Sequence, residues 1–106
     1  MVLWLRSKAT VSEARGVILA EVREGRGTDK PSAYADFDTE VGIGRISVWV
    51  SGEVDFEVLR RSDARMVYFG HVTTSTLTGS ALDRALDAFL TTMTNPKDDL
   101  LTLNEL

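Results

Sequence analysis

His71 is the only histidine in the chain, and there is no cysteine. A Ser-His-Asp triad would have to use His71, and no G-x-S-x-G turn is present to raise a nucleophilic serine. Zinc sites draw on several Cys or His ligands, so a lone histidine speaks against zinc. Asp36 and Asp38 lie two residues apart in an alternating run, which puts both carboxylates on one strand face. Such a pair could hold a divalent cation or share acid–base work. Arg45 beside them argues instead for charge neutralisation. Gly25 and Gly27, in the segment from Glu24 to Pro31, lack the Walker spacing and precede no helix, so they do not read as a phosphate cradle. Arg60, Arg61 and Arg65 flank a hairpin loop and read as a small solvated basic spot. Asp98-Asp99 lies in a tail too loosely placed to suggest a site. The residue types therefore predict no catalytic residue, no metal site and no cofactor.

The chemistry-bearing residues need elements to position them, and the sequence is long enough for a core. At 106 residues it reads as one domain, 1–106, with 97–106 an amphipathic tail that packs or dangles. Hydrophobic residues make up 43 % and charged residues 26 %, near the globular average. The formal net charge is -4. An acidic domain neutralises phosphates poorly, so nucleic acid is not an expected partner, whereas a basic protein is suited to it. The absence of cysteine fits a reducing cytoplasm. The apolar start, Met1 to Leu5, is interrupted by Arg6 and Lys8, too early for a secretory segment or a membrane span. The expected location is cytoplasmic, without membrane attachment.

Periodicity predicts a helix over 3–15, with Trp4, Val11 and Ala14 near one stripe and Gly16 as its stop. Strands follow over 16–22, 32–38, 43–49, 53–59 and 65–72. A second helix over 80–94 carries Leu82, Ala85, Leu86, Phe89, Leu90 and Met93 on one broad stripe. Ser80 stands three before Asp83, close to a capping box, and Asn95-Pro96 ends the helix. The expectation is an α+β fold: an antiparallel meander of about five strands with an N-terminal and a C-terminal helix packed on the sheet.

Loop lengths predict the register. A three-residue loop, Val50-Ser51-Gly52, with Gly52 left-handed, sets Val48 against Val54, Ile46 against Phe56 and Arg45 against Glu57. The loop from Thr39 to Gly42 sets Asp36 against Arg45, and the loop from Arg61 to Ala64 sets Val58 against Val67 and Phe56 against Phe69. One face is then apolar, as burial requires. The other collects Tyr34, Asp36, Asp38, Arg45, Ser47, Trp49, Asp55, Glu57, Leu59, Met66 and Tyr68, while His71 points to the buried layer or the sheet's end. Three readings of the polar face stand side by side. It is a cross-strand charge ladder. It is an acidic surface with aromatic anchors for a basic partner, in which Tyr34, Asp36, Asp38, Arg45, Trp49, Asp55, Glu57 and Tyr68 make the contacts. Or the N-terminal helix covers part of it and makes Trp49 core.

Pro31-Ser32-Ala33-Tyr34 opens a strand. Arg45-Ile46-Ser47-Val48-Trp49-Val50-Ser51-Gly52-Glu53 follows, then alternating Asp55 and Glu57, Val67-Tyr68, and Ala81-Leu82-Asp83-Arg84-Ala85-Leu86-Asp87-Ala88-Phe89-Leu90. In these features the segment 31–93 resembles the TriTu-type immunity proteins of bacterial polymorphic toxin systems. The resemblance implies a toxin–antitoxin-like role: a protein that protects its producer by binding a cognate toxin and blocking it, with no catalysis. It transfers no contact residue. A basic toxin is suggested by charge alone. The competing expectations are a small-molecule-binding domain whose pocket lies between sheet and helix near His71, and an adaptor that forms a homodimer through its sheet.

Overall fold

A computed structural model describes residues 1–25, 31–96 and 101–105, the last five as backbone. The glycine-rich loop beyond Gly25 and the Asp98-Asp99 pair lie outside the described residues. The elements in order are α1 (Val2–Glu13), β1 (Ile18–Glu24), β2 (Ser32–Asp38), β3 (Gly42–Trp49), β4 (Glu53–Arg60), β5 (Arg65–Thr73), α2 (Ser80–Thr94) and β6 (Leu101–Glu105). β1 to β5 form the antiparallel meander, and β6, from the tail, adds a sixth strand parallel to β5. None of the described helices is long and apolar enough to cross a membrane.

Alternating hydrophobicity places Ala33, Ala35, Phe37, Ile46, Val48, Val54, Phe56 and Val58 on one fully covered face. The β2–β3 and β3–β4 registers agree with the loop-length reading, including Asp36 opposite Arg45 and Arg45 opposite Glu57. Gly52 takes φ 100° in the tight turn, and its amide bonds to the Trp49 carbonyl at 2.9 Å.

Both helices lie on the apolar face. α2 packs over β3, β4 and β5, and α1 over β1 and β2. The Arg15 guanidinium ties the end of α1 to α2, donating to Asp87 Oδ1 at 2.8 Å and to Thr91 Oγ1 at 2.7 Å. Phe89 is the centre of the core. Its ring meets Phe37 edge-on at 5.4 Å and Phe56 at 5.9 Å. Gly44 makes this approach possible, since a Cβ there would lie 2.6 Å from Met93 Sδ and 2.7 Å from Phe89 Cζ.

Several local expectations change. The stripe of α1 that enters the core carries Leu5 and Ser12, whereas Val11 is 41 % exposed and Ala14 is exposed. Apolar residues are spread around this helix, so no single stripe dominates its sequence, and the packing on β1 and β2 chooses the side. β1 starts at Ile18, because the amides of Arg15, Gly16 and Val17 turn back to the Ser12 and Glu13 carbonyls and close the helix, with Gly16 at φ 78°. Ser80 is the first helical residue of α2, not its cap. Gly79 holds that place, and no side chain caps the end. Asp83 still sits in the first turn, where the helix dipole favours a carboxylate.

The largest correction lies in β5. Its pairing with β4 starts as expected, with Arg60 opposite Arg65 and Leu59 opposite Met66, but then shifts by one residue, so that Val58 faces Tyr68 and Phe56 faces Gly70. Val67 is the extra residue of a bulge. Every side chain after it changes face. Tyr68 is fully buried and donates its hydroxyl to the Ala85 carbonyl of α2 at 3.1 Å. Gly70, with no side chain, leaves room for the Tyr68 ring. Phe69 and His71 turn to the opposite face. His71 is thus absent from the sheet–helix layer where a small-molecule pocket was expected to use it.

In the β4–β5 loop Arg60 holds the Asp63 carboxylate through two bonds, 3.0 and 2.6 Å. The hydrogen bonds from Arg60 bring the Asp63 pKa down to about 2. A depressed carboxylate stabilises the fold above its unfolded value, and that contribution fades as pH falls through the folded one. Asp63→Asn should therefore lower the urea midpoint at pH 7, and its unfolding curve should converge on that of the parent as pH approaches 2. A gap that persists unchanged at pH 2 would contradict the ion-pair origin.

Candidate functional site

With both helices on one side, the described residues leave the second sheet face uncovered. Strand registers arrange this face in rows that run across the sheet. The first row is apolar, with Ile18, Ile43, Leu59 and Met66 broken only by Asp38. The next holds Glu21, Asp36, Arg45, Glu57 and Phe69. The third holds Arg23, Tyr34, Ser47, Asp55 and His71. Trp49, opposite Ser32, closes the face at the end near the Val50-Ser51-Gly52 turn.

Of the predicted partner-binding residues, Tyr34, Asp36, Asp38, Arg45, Trp49, Asp55 and Glu57 stand on this face. Tyr68 does not. The bulge at Val67 buries it in the opposite layer, and it is withdrawn from the candidate surface. The N-terminal helix does not cover Trp49, which is half-buried.

Arg45 organises the centre. Its Nε and Nη2 donate to the two Asp36 oxygens at 2.7 and 3.1 Å, and its guanidinium lies 4.1 Å from the Tyr34 ring centroid. The bond to Asp36 raises the Arg45 pKa still further, so its charge is permanent. Arg23 is likewise raised by its bond to Glu21, 2.6 Å away. Asp38 accepts from Arg61 at 2.6 Å. The Asp36–Asp38 pair is therefore divided between two guanidiniums, the neutralised arrangement expected of it. Such exposed pairs contribute about 0.2–1 kcal/mol each, so they set the shape of the face more than its stability.

Asp55 and His71 form a half-buried pair, with Nδ1 2.5 Å from Oδ1. Sequence reasoning missed His71 and Phe69 on this face because both lie beyond the bulge. It also left Ile18 and Ile43 out, although the parity of Ile43 with Arg45 was a usable signal. Ile18 is 54 %, Ile43 38 % and Met66 37 % exposed. Together with the half-buried Leu59 they give the polar face an apolar margin.

The fold and the site define a small two-layer α+β domain with one sheet face committed to the core and the other left open, charged and partly apolar. The chain belongs to the TriTu immunity protein family: the family model described as "Immunity protein TriTu" matches residues 1–92. The match takes in α1 and β1, beyond the segment that carried the resemblance, and ends before β6. No curated protein and no solved structure matches the chain.

Proposed function

We propose that this protein neutralises a cognate bacterial toxin by binding it through the open sheet face, without catalysis, in the cytoplasm of the producing cell. The observation that carries the reading is a sheet face left uncovered by both helices in a chain of an immunity family. On that face the carboxylates of Glu21, Asp36, Asp38, Glu53, Asp55 and Glu57 outnumber the guanidiniums of Arg23, Arg45 and Arg61. Excess negative charge steers a basic partner and rejects an acidic one. Trp49 and Tyr34 supply aromatic contact area of the kind that concentrates binding energy.

The test is co-expression with the toxin domain encoded next to this gene. The parent chain should restore growth and co-purify with that domain. Trp49→Ala should lose about 1–2 kcal/mol of stability, less than a core aromatic, and should weaken the complex at least tenfold while remaining folded. A parent chain that neither binds nor protects against the adjacent toxin would defeat the proposal.

A further inference from the structure

The carboxylates of the open face are not equivalent. Glu21 is bonded to Arg23, Asp36 to Arg45, Asp38 to Arg61 and Asp55 to His71. Glu53 accepts from the Ser51 hydroxyl at 3.1 Å. Glu57 has no hydrogen bond and no ion pair among the described residues, although it is half-buried and faces Arg45 across β3 and β4. Arg45 reaches it only as a neighbouring charge, without a hydrogen bond. Its fork is occupied by both Asp36 oxygens and its plane lies on the Tyr34 ring. A half-buried carboxylate without a donor bears a desolvation cost that an incoming cation would relieve.

Glu57 also lies at the border of the apolar row. It lines a shallow groove of about 480 Å³ with Ile43, Leu59 and Arg45, in which the carboxylates of Glu21, Asp36, Asp38 and Glu57 outnumber the one guanidinium. Arginine and lysine are built for such a boundary, with an apolar stem and a charged head. We propose that this groove seats an arginine or lysine side chain of the toxin, its stem on Ile43 and Leu59 and its head on Glu57. The proposal rests on the toxin-binding reading above. It commits that reading to one end of the face and to one partner chemistry. Charge complementarity selects a basic protein segment over a second copy of this chain. A two-fold, face-to-face dimer would bring two carboxylate-rich surfaces together, in a chain whose net charge is already -4.

The spent and unspent carboxylates predict an unusual pattern in variants. Asp36→Asn releases Arg45, which can then turn to Glu57 and fill the seat, so cation binding should fall. Arg45→Gln frees Asp36 and removes the positive charge that neighbours Glu57, so cation binding should rise severalfold.

The first experiment titrates the full chain with an acetylated, amidated tetra-arginine peptide at low ionic strength, followed by amide NMR. The amides of Ile43, Glu57 and Leu59 should move most. Glu57→Gln should weaken binding about tenfold without lowering the unfolding midpoint, while Glu53→Gln, which removes the same charge elsewhere on the face, should change binding less than twofold. Equal losses in the two variants, or shifts centred on Asp55 and His71, would overturn the proposal. The second experiment repeats the growth assay with Glu57→Lys and Ile43→Asp. If the parent protects and both variants do not, the seat is supported. If the parent and both variants protect equally, the seat is wrong and the toxin-binding reading survives. If the parent fails to protect, the reading fails, and the peptide titration alone decides whether Glu57 receives a cation. A dimer whose dissociation tracks Glu57→Lys would reassign the face to self-association and overturn the choice of partner.

Discussion

Tyr68→Ala should destabilise the protein by about 3–5 kcal/mol, the range for removing a fully buried aromatic side chain. Tyr68 is the largest of the fully buried side chains, and its ring fills the space that Gly70 leaves vacant. Tyr68→Phe should cost only about 1 kcal/mol, the value of the hydroxyl bond to the Ala85 carbonyl. The ratio between the two variants tests the bulge at Val67. If β5 ran in the unbulged register, Tyr68 would stand on the open face and both changes would cost under about 1 kcal/mol. Urea midpoints at neutral pH distinguish the outcomes. A second signature should accompany them: Phe69→Ala, on the open side of the same strand and half-buried, should cost clearly less than Tyr68→Ala.

The second large effect is expected where the sheet and α2 come closest. Gly44→Val should cost about 3 kcal/mol, because the new side chain enters space held by Phe89 and Met93. Phe89→Ala alone should cost about 3–5 kcal/mol, since it empties the contacts with Phe37 and Phe56. The two changes should not add. In the double variant the valine occupies part of the volume that Phe89 vacates, so the sum should be undershot by about 1–2 kcal/mol. Strict additivity would mean that Gly44 and Phe89 do not share one space. These substitutions lie on the covered face, so those variants that remain folded should still bind the partner. That separates them from Glu57→Lys, which should abolish protection without a comparable loss of stability.

Some of the open face was legible before any coordinates. Arg45 opposite Asp36 and Glu57 followed from two loop lengths and strand parity, and the structure has that pairing. The pairing alone did not reveal that Arg45 bonds only one of its neighbours. The guanidinium lies over the Tyr34 ring with two of its donors on Asp36, which leaves Glu57 with Arg45 as a neighbouring charge but without a hydrogen bond. Phe69 and His71 could not be placed by parity, because a single unpaired residue reverses parity for the rest of a strand.

The sequence by itself determined the two-layer architecture, the order of the five meander strands, the face that must be buried, and the resemblance to the family to which the chain belongs. These properties rest on local periodicity and turn chemistry, which each segment carries on its own. Tertiary structure alone decided that both helices share one side, that Leu5 and not Val11 enters the core, that Tyr68 is buried, and that residues 101–105 extend the sheet. Each of these depends on contacts between segments far apart in the chain. A bulge at Val67 is stable because Gly70 and the Ala85 carbonyl accommodate the tyrosine. α1 chooses its side because β1 and β2 present apolar surface there, and no window along the sequence contains both partners of such a choice.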